Sequence, residues 1–257
     1  MILLIDIGNT NIVLGGMEGD TLCFQARMRS LRGKTADEYA VSLRSVLDVK
    51  GVDPREIEGG ILSSVVPELS QSLGQAAEEL TGRTFLRVGT HLDIGFRLKM
   101  DQPDRVGADL LADTVGALAL FQPPMVIFDM GTATTMTVID PNGDYIGGLI
   151  TPGLRLSMDA LTAGTAQLPA ISLREPPARF IGTNTVDCMT SGAIYGSAAM
   201  VDGLVDRVES ELGRPVTVVA TGGLMGAVAP YCRHEIAYRE DLMLVGLLAL
   251  YRRNHKD

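Results

Sequence analysis

Cysteine is sparse in this chain of 257 residues, and its placement excludes two architectures. Cys23, Cys188 and Cys232 are odd in number, widely separated and form no Cys-x-x-Cys pair, which argues against a disulfide framework and against structural zinc. That usage fits a reducing, cytoplasmic setting. The three histidines, His91, His234 and His255, lack the spacing of a metal motif and read as surface residues. Long apolar runs are missing too. Asp6 interrupts the opening apolar stretch and no basic segment precedes it, so it reads as a strand and not as a signal peptide. The apolar run at 242–251 falls far short of the roughly 20 residues that a membrane-spanning helix needs. No block of like charge occurs, and 22 basic against 31 acidic side chains leave a net charge of −9. A nucleic-acid backbone or an anionic membrane would be repelled overall, whereas a local basic pocket for a small anion stays open.

Several nucleotide and hydrolase signatures are also absent. There is no Gly-x-Gly-x-x-Gly, no Gly-x-Ser-x-Gly and no His-Glu-x-x-His. Arg32-Gly33-Lys34-Thr35 resembles the end of a Walker A loop, but Met28 stands where that motif needs glycine and no apolar strand precedes it. What is present is the composition of a folded globular protein, with 46% hydrophobic and 21% charged residues. The length is one at which a single core tends to divide, so two lobes are expected.

One design occurs twice along the chain. Residues 2–14 place β-branched and leucine residues on either side of Asp6-Ile7-Gly8-Asn9-Thr10-Asn11, which reads as two strands around a tight polar bend. Residues 125–139 repeat it around Asp129-Met130-Gly131-Thr132-Ala133-Thr134-Thr135, and Pro141-Asn142-Gly143-Asp144 turns the chain back. Asp6 aligns with Asp129 and Gly8 with Gly131, an offset of 129 − 6 = 123 residues, close to half the chain. The spacing therefore predicts a duplicated domain plan, with lobes at 1–121 and 122–257. Within the first, Thr35 and Glu38 form a capping signal for a helix over 35–49. A strand at 59–66, a helix to about residue 80 and a strand at 84–88 follow. Leu111, Val115 and Leu118 have helical spacing in 107–121, which Pro123-Pro124 ends. In the second, helices are expected over 154–161 and 184–212, and Val219-Ala220-Thr221-Gly222-Gly223-Leu224 as a strand-to-helix turn. The fold class is thus α/β, with helices covering mixed sheets and a nucleotide cleft between duplicated lobes.

The chemistry of the repeated motif suits nucleotide phosphates. Glycine lets a polyanion approach the backbone, Asn and Thr donate hydrogen bonds, and a carboxylate can hold magnesium through water. A diglycine at a strand end leaves room for a base or ribose. Asp109 stands in the first turn of its helix, where the helix dipole alone would favour an acid.

Taken together, these segments resemble the type III pantothenate kinases along nearly the whole chain. Further matching pieces are Thr35-Ala36-Asp37-Glu38-Tyr39, Pro103 with Val106-Gly107-Ala108-Asp109, Gly147-Gly148 with Pro152-Gly153, and Gly182-Thr183-Asn184-Thr185. The resemblance implies an actin-like (ribonuclease H-like) duplicated fold and a cytoplasmic homodimer. It implies transfer of the γ-phosphate of ATP to the terminal hydroxyl of pantothenate, giving 4'-phosphopantothenate in the first step of coenzyme A biosynthesis. Mg2+ and a monovalent cation, K+ or NH4+, are the implied cofactors. By position, Asp6, Ile7, Gly8, Asn9, Thr10, Asn11, Ile12 and Val13 would bind ATP phosphates, with Asp6 holding magnesium through water. Thr132 would also contact ATP, and Asp129 would hold the monovalent cation. Asp109 would accept the proton, and Gly107, Ala108, Leu110 and Thr185 would line the pantothenate pocket.

Two positions depart from the family pattern. The family's acidic base is usually followed by arginine, where this chain has Leu110, and its motif proline is usually preceded at short range by tyrosine, where this chain has Met100. A substrate carboxylate loses a charged hydrogen bond worth roughly 1.5–3 kcal/mol, or about tenfold and more in affinity. Three explanations are open: a compensating Arg97 or Arg105, a different small hydroxyl acceptor, or a weakly active paralogue that acts in a mixed dimer.

Overall fold

The computed structural model describes residues 1–173, 175 and 177–255. The duplication reappears as topology. The first half opens with a meander of β1 (Ile2–Ile7), β2 (Asn11–Glu18) and β3 (Thr21–Arg29), followed by α1 (Ala36–Val49), β4 (Gly59–Ser64), α2 (Pro67–Thr81), β5 (Phe85–Arg87) and α3 (Ala108–Leu120). The second half opens with β6 (Met125–Met130), β7 (Ala133–Ile139) and β8 (Tyr145–Pro152). It continues through α4 (Leu154–Ala163), α5 (Thr185–Leu212), β9 (Thr217–Thr221), α6 (Met225–Val228), β10 (Ala237–Tyr238) and α7 (Leu242–Asn254). The two sheets have the orders β3-β2-β1-β4-β5 and β10-β9-β6-β7-β8. Each pairs its meander antiparallel and adds its later strands parallel to the first strand of that meander. The first expected hairpin thus gains a third strand, β3, while in the second the turn at 141–144 leads into β8.

Local chemistry explains the elements. Thr35 and Glu38 complete a reciprocal capping box at the head of α1, which buries Tyr39, Leu43 and Leu47 along one face. Gly82 at φ 66° ends α2 in the left-handed conformation. Asn184 caps α5 by accepting from the Asp187 N–H at 2.9 Å. β3 alternates apolar Leu22, Phe24, Ala26 and Met28 with polar residues, so that Phe24, Ala26 and Met28 pack on the core while the other side stays mostly exposed, and its Arg27 and Arg29 suit an edge that must not pair further.

The chain forms two compact units, Met1–Gly95 with Asp101–Ala119 and Leu242–Asp257, and Phe96–Met100 with Leu120–Asp241. Each has its own apolar core. The first packs Leu3, Ile5, Leu43 and Leu73, and the second packs Val126, Phe128, Ile194 and Val201. The first unit gives way to the second at 119/120, and α7 packs in the first unit. The reason is burial: α7 covers β1 and β4, with Tyr251 against Gly59 of β4, and its Leu244 reaches Gly15 of β2. The short strap Phe96–Met100 likewise joins the second unit, where the Tyr145 N–H donates to the Arg97 carbonyl at 2.9 Å and the Lys99 N–H to the Tyr145 carbonyl at 2.8 Å.

α3 and α7 meet backbone to backbone. A Cβ on Gly246 would overlap the Ala112 carbonyl, and one on Gly116 would lie 2.5 Å from the Leu242 carbonyl oxygen. Gly246→Val should therefore lower the unfolding free energy by about 3 kcal/mol, the upper end for overpacking. Urea denaturation measures it, and parental stability would show that the helices are not seated this closely.

Candidate functional site

In the first unit, Asp6 is half-buried on β1 opposite Val13, and the chain reverses between Ile7 and Asn11, which are the last β1 and first β2 residues. The Gly8 N–H donates to the Asn11 carbonyl at 3.0 Å and closes the bend, leaving Asn9, Thr10 and Asn11 exposed. Ile7 and Ile12 are fully buried and face each other across the hairpin, so they anchor the turn from beneath. Ser30 fixes the turn from the side. Its hydroxyl donates to the Gly8 carbonyl at 2.6 Å and its N–H to the Thr10 carbonyl at 3.0 Å. Sequence reasoning missed Ser30, because it follows an edge strand with no motif of its own.

The second unit holds the shorter copy of this bend. Asp129 pairs with Thr135, and the Gly131 N–H donates to the Ala133 carbonyl at 3.0 Å, so only Gly131 and Thr132 form the loop between β6 and β7. Thr132 is exposed, and its carbonyl accepts the Gly153 N–H at 3.1 Å. The third motif lies against this bend. β9 runs parallel to β6 with Thr221 opposite Asp129, and Gly222 follows at φ 92°. A Cβ there would sit 2.5 Å from the Met130 nitrogen and 2.6 Å from Asp129 Oδ1. Only glycine fits this close approach to Met130 and to the Asp129 carboxylate. The structure brings together what the sequence could only align: Asp129, Thr132 and the diglycine occupy neighbouring strand ends of one sheet.

Asp109 opens α3 in the first unit, with Gly107 and Ala108 directly before it. Its Oδ1 accepts the Leu110 N–H at 2.9 Å. Burial pushes its pKa above the ordinary 3.8, a shift that the backbone hydrogen bonds only partly oppose. Leu110 is half-buried and supplies no charge. Of the two candidate replacement cations, Arg97 is engaged: its Nε donates to Asp144 Oδ1 at 3.3 Å and its guanidinium lies 3.1 Å from Asp144 Oδ2. Arg105 is exposed, and no described residue pairs with its side chain. Thr185, exposed at the start of α5, belongs to the second unit together with Asp129 and Thr132, while the 6–13 hairpin and 107–110 belong to the first.

Two five-stranded sheets with the same strand plan, each bearing an Asp-x-Gly bend at the end of its first strand, define the actin-like ATPase and sugar kinase class. Solved structures agree with that fold. An activator of 2-hydroxyisocaproyl-CoA dehydratase from Clostridium difficile, with bound ADPNP, matches at TM-score 0.58 and 15% identity, covering 97% of this chain and 92% of that one. An ROK hexokinase from Thermus thermophilus matches at TM-score 0.50 and 15% identity, covering 98% of both. The sequence places the chain more narrowly. The family model for type III pantothenate kinase matches residues 2–207. A type III pantothenate kinase from Moorella thermoacetica is 42% identical over 254 residues, covering 99% of this chain and all of that protein. The chain belongs to the type III pantothenate kinase family.

Gly222→Ala tests the tight seat of the diglycine. The left-handed backbone and the close Met130 and Asp129 atoms should together cost about 1–3 kcal/mol of stability, read as a lower urea midpoint. An unchanged midpoint would mean that the turn relaxes freely.

Proposed function

We propose that the protein transfers the γ-phosphate of ATP to the terminal hydroxyl of pantothenate, giving 4'-phosphopantothenate, the entry step of coenzyme A synthesis. The carrying observation is Asp109, a carboxylate made more basic by burial and set at the head of a helix beside Gly107 and Ala108. Such a group orients the attacking hydroxyl and accepts its proton, while positioning and electrostatics supply the rest of the acceleration. In this assignment Asp6, Ile7, Gly8, Asn9, Thr10, Asn11, Ile12 and Val13 receive the ATP phosphates through the exposed bend, and Thr132 contacts ATP from the second hairpin. Gly107, Ala108, Leu110 and Thr185 line the pantothenate pocket.

Two cations fit the residues present. Asp6 offers a half-buried carboxylate next to the first bend, suited to Mg2+ through water, and Asp129 is the carboxylate at the matching strand end of the second sheet that would hold K+ or NH4+. When bound, such cations offset phosphate charge. A cytoplasmic homodimer is part of the same proposal, supported by family membership. No described helix is long and apolar enough to cross a membrane.

A coupled assay with ATP, Mg2+, K+ or NH4+ and pantothenate, using the purified chain alone, tests the proposal. Turnover of another small hydroxyl compound in place of pantothenate would overturn the substrate assignment, and turnover only after adding a second subunit would favour the mixed dimer. Asp109→Asn should reduce kcat by roughly 10²-fold or more and leave nucleotide affinity nearly unchanged; full activity would remove Asp109 from the mechanism. The raised pKa has a definite sign. The base works ionised, so kcat/KM should fall as pH drops through a value above 3.8, and a pH profile flat down to that value would contradict the buried base.

Arg105 is the cation proposed to meet the pantothenate carboxylate in place of the residue at Leu110. Arg105→Ala should raise the pantothenate KM roughly tenfold while the KM for ATP holds. Equal pantothenate KM values in parent and variant would assign the carboxylate to another group.

A further inference from the structure

The strap Phe96–Met100 is the one short stretch between Gly95 and Asp101 that belongs to the second unit, and the chain then returns to the first unit to deliver Asp109. Its fastening is unusually dense. Besides the two backbone hydrogen bonds to Tyr145, Lys99 Nζ donates to Asp140 Oδ2 at 2.7 Å and lies 3.0 Å from Asp144 Oδ2. Arg97 meets Asp144 from the other side at 3.1 Å. Both carboxylates are buried residues of the turn between β7 and β8, and Asp140 Oδ1 accepts the Asn142 and Asp144 N–H groups at 2.8 and 3.0 Å. The turn therefore presents two preset acids to one half-exposed ammonium. Burial alone would raise the Asp140 carboxyl, yet Lys99 and the N–H donors hold it down to about 2.

Beyond Met100 the fastening stops. Asp101, Gln102, Asp104 and Arg105 are exposed, and the segment is held by local bonds, Arg105 N–H to Gln102 and Val106 N–H to Pro103, with Thr90 donating to Asp104 at 3.1 Å. Segments with little burial and few bonds open readily and take their placement from their ends. One end is α3, seated on α7. The other is the clasp.

We propose that Lys99, held by Asp140 and Asp144, is a positioning residue that fixes the upstream end of the 101–109 segment and thereby the acceptor-side residues Gly107, Ala108 and Asp109. It touches no reacting atom. The acceptor-side consequence rests on the proposed pantothenate kinase activity, whereas the anchoring itself does not.

The test compares the parent with Lys99→Met, Lys99→Arg and the charge-balanced pair Lys99→Met with Asp140→Asn. In Lys99→Met, amide hydrogen exchange at Arg105 and Val106 should accelerate roughly tenfold, with the β1 and β2 amides unchanged. The pantothenate KM should rise roughly tenfold with the ATP KM unchanged, and Lys99→Arg should restore both. The paired variant keeps the test valid if an uncompensated Asp140 prevents Lys99→Met from folding. Exchange that accelerates only around Asn142 to Tyr145, with Arg105 and Val106 as in the parent, would overturn the proposal and leave the clasp a tie for the turn alone. If the parent does not phosphorylate pantothenate, the activity assignment fails, and the exchange at Arg105 and Val106 still decides the anchoring.

Discussion

The close backbone contact between α3 and α7 is the constraint on which the first unit depends. Helices usually keep their axes apart by the width of their side chains, but here Gly246 and Gly116 remove that spacer and carbonyl groups lie where Cβ atoms would be. The last helix of the chain is thereby fixed against the helix that Asp109 heads, while its other face covers β1, the strand that carries Asp6. Two groups far apart in sequence, an acid at a strand end and an acid at a helix head, share one support. A helix that ends the second repeat thus completes the unit begun by the first.

The repeats match in plan and differ where function asks them to. Both sheets grow from a meander toward parallel strands, and both bends follow an aspartate one residue before the strand end. The first bend has three residues between its strands and exposes Asn9, Thr10 and Asn11; the second has two and is backed by Gly222. A longer exposed bend offers more donors to a polyanion, whereas the shorter bend is packed closely against Gly222. The difference in turn length is in keeping with the proposal that the first copy receives the phosphates.

Periodicity and capping made most of the fold legible. The Thr35–Glu38 box and the paired Asp-x-Gly motifs are local patterns that local hydrogen bonds realise, whereas α3 is a helix as its spacing implies but is buried all round over residues 111–117 and not along one stripe. β3 was legible too, in the alternation of Leu22, Phe24, Ala26 and Met28 with polar residues, but it lies outside the repeated Asp-x-Gly motif, and the sequence reading omits it. The 96–100 strap was illegible: its partners Asp140 and Asp144 lie some forty residues away and act through charge, which leaves no period in the sequence. The same limit hid the return of α7 to the first unit. At the candidate site, Asp6, Asp109 and Asp129 stood out by motif, but the pinning of Gly8 by Ser30 and the close approach of Gly222 to Asp129 exist only in three dimensions.

Leu110 ties the electrostatics of the base to the recognition of the acceptor. A guanidinium next to Asp109 would stabilise the ionised carboxylate and lower its pKa, opposing the rise that burial causes. With leucine there, no cation contributes to the shift, and desolvation is countered only by backbone hydrogen bonds. In the proposed assignment, an apolar neighbour leaves the base more basic and offers no anchor to a substrate carboxylate. Orientation of the acceptor is then proposed to rest on what holds the 101–109 segment and on Arg105, whose side chain pairs with no described residue. An arginine restored at position 110 would reverse both effects at once, lowering the pKa of Asp109 while tightening the hold on the carboxylate. On the proposed roles of Asp109 and Leu110, base strength and acceptor affinity are thus coupled through a single side chain.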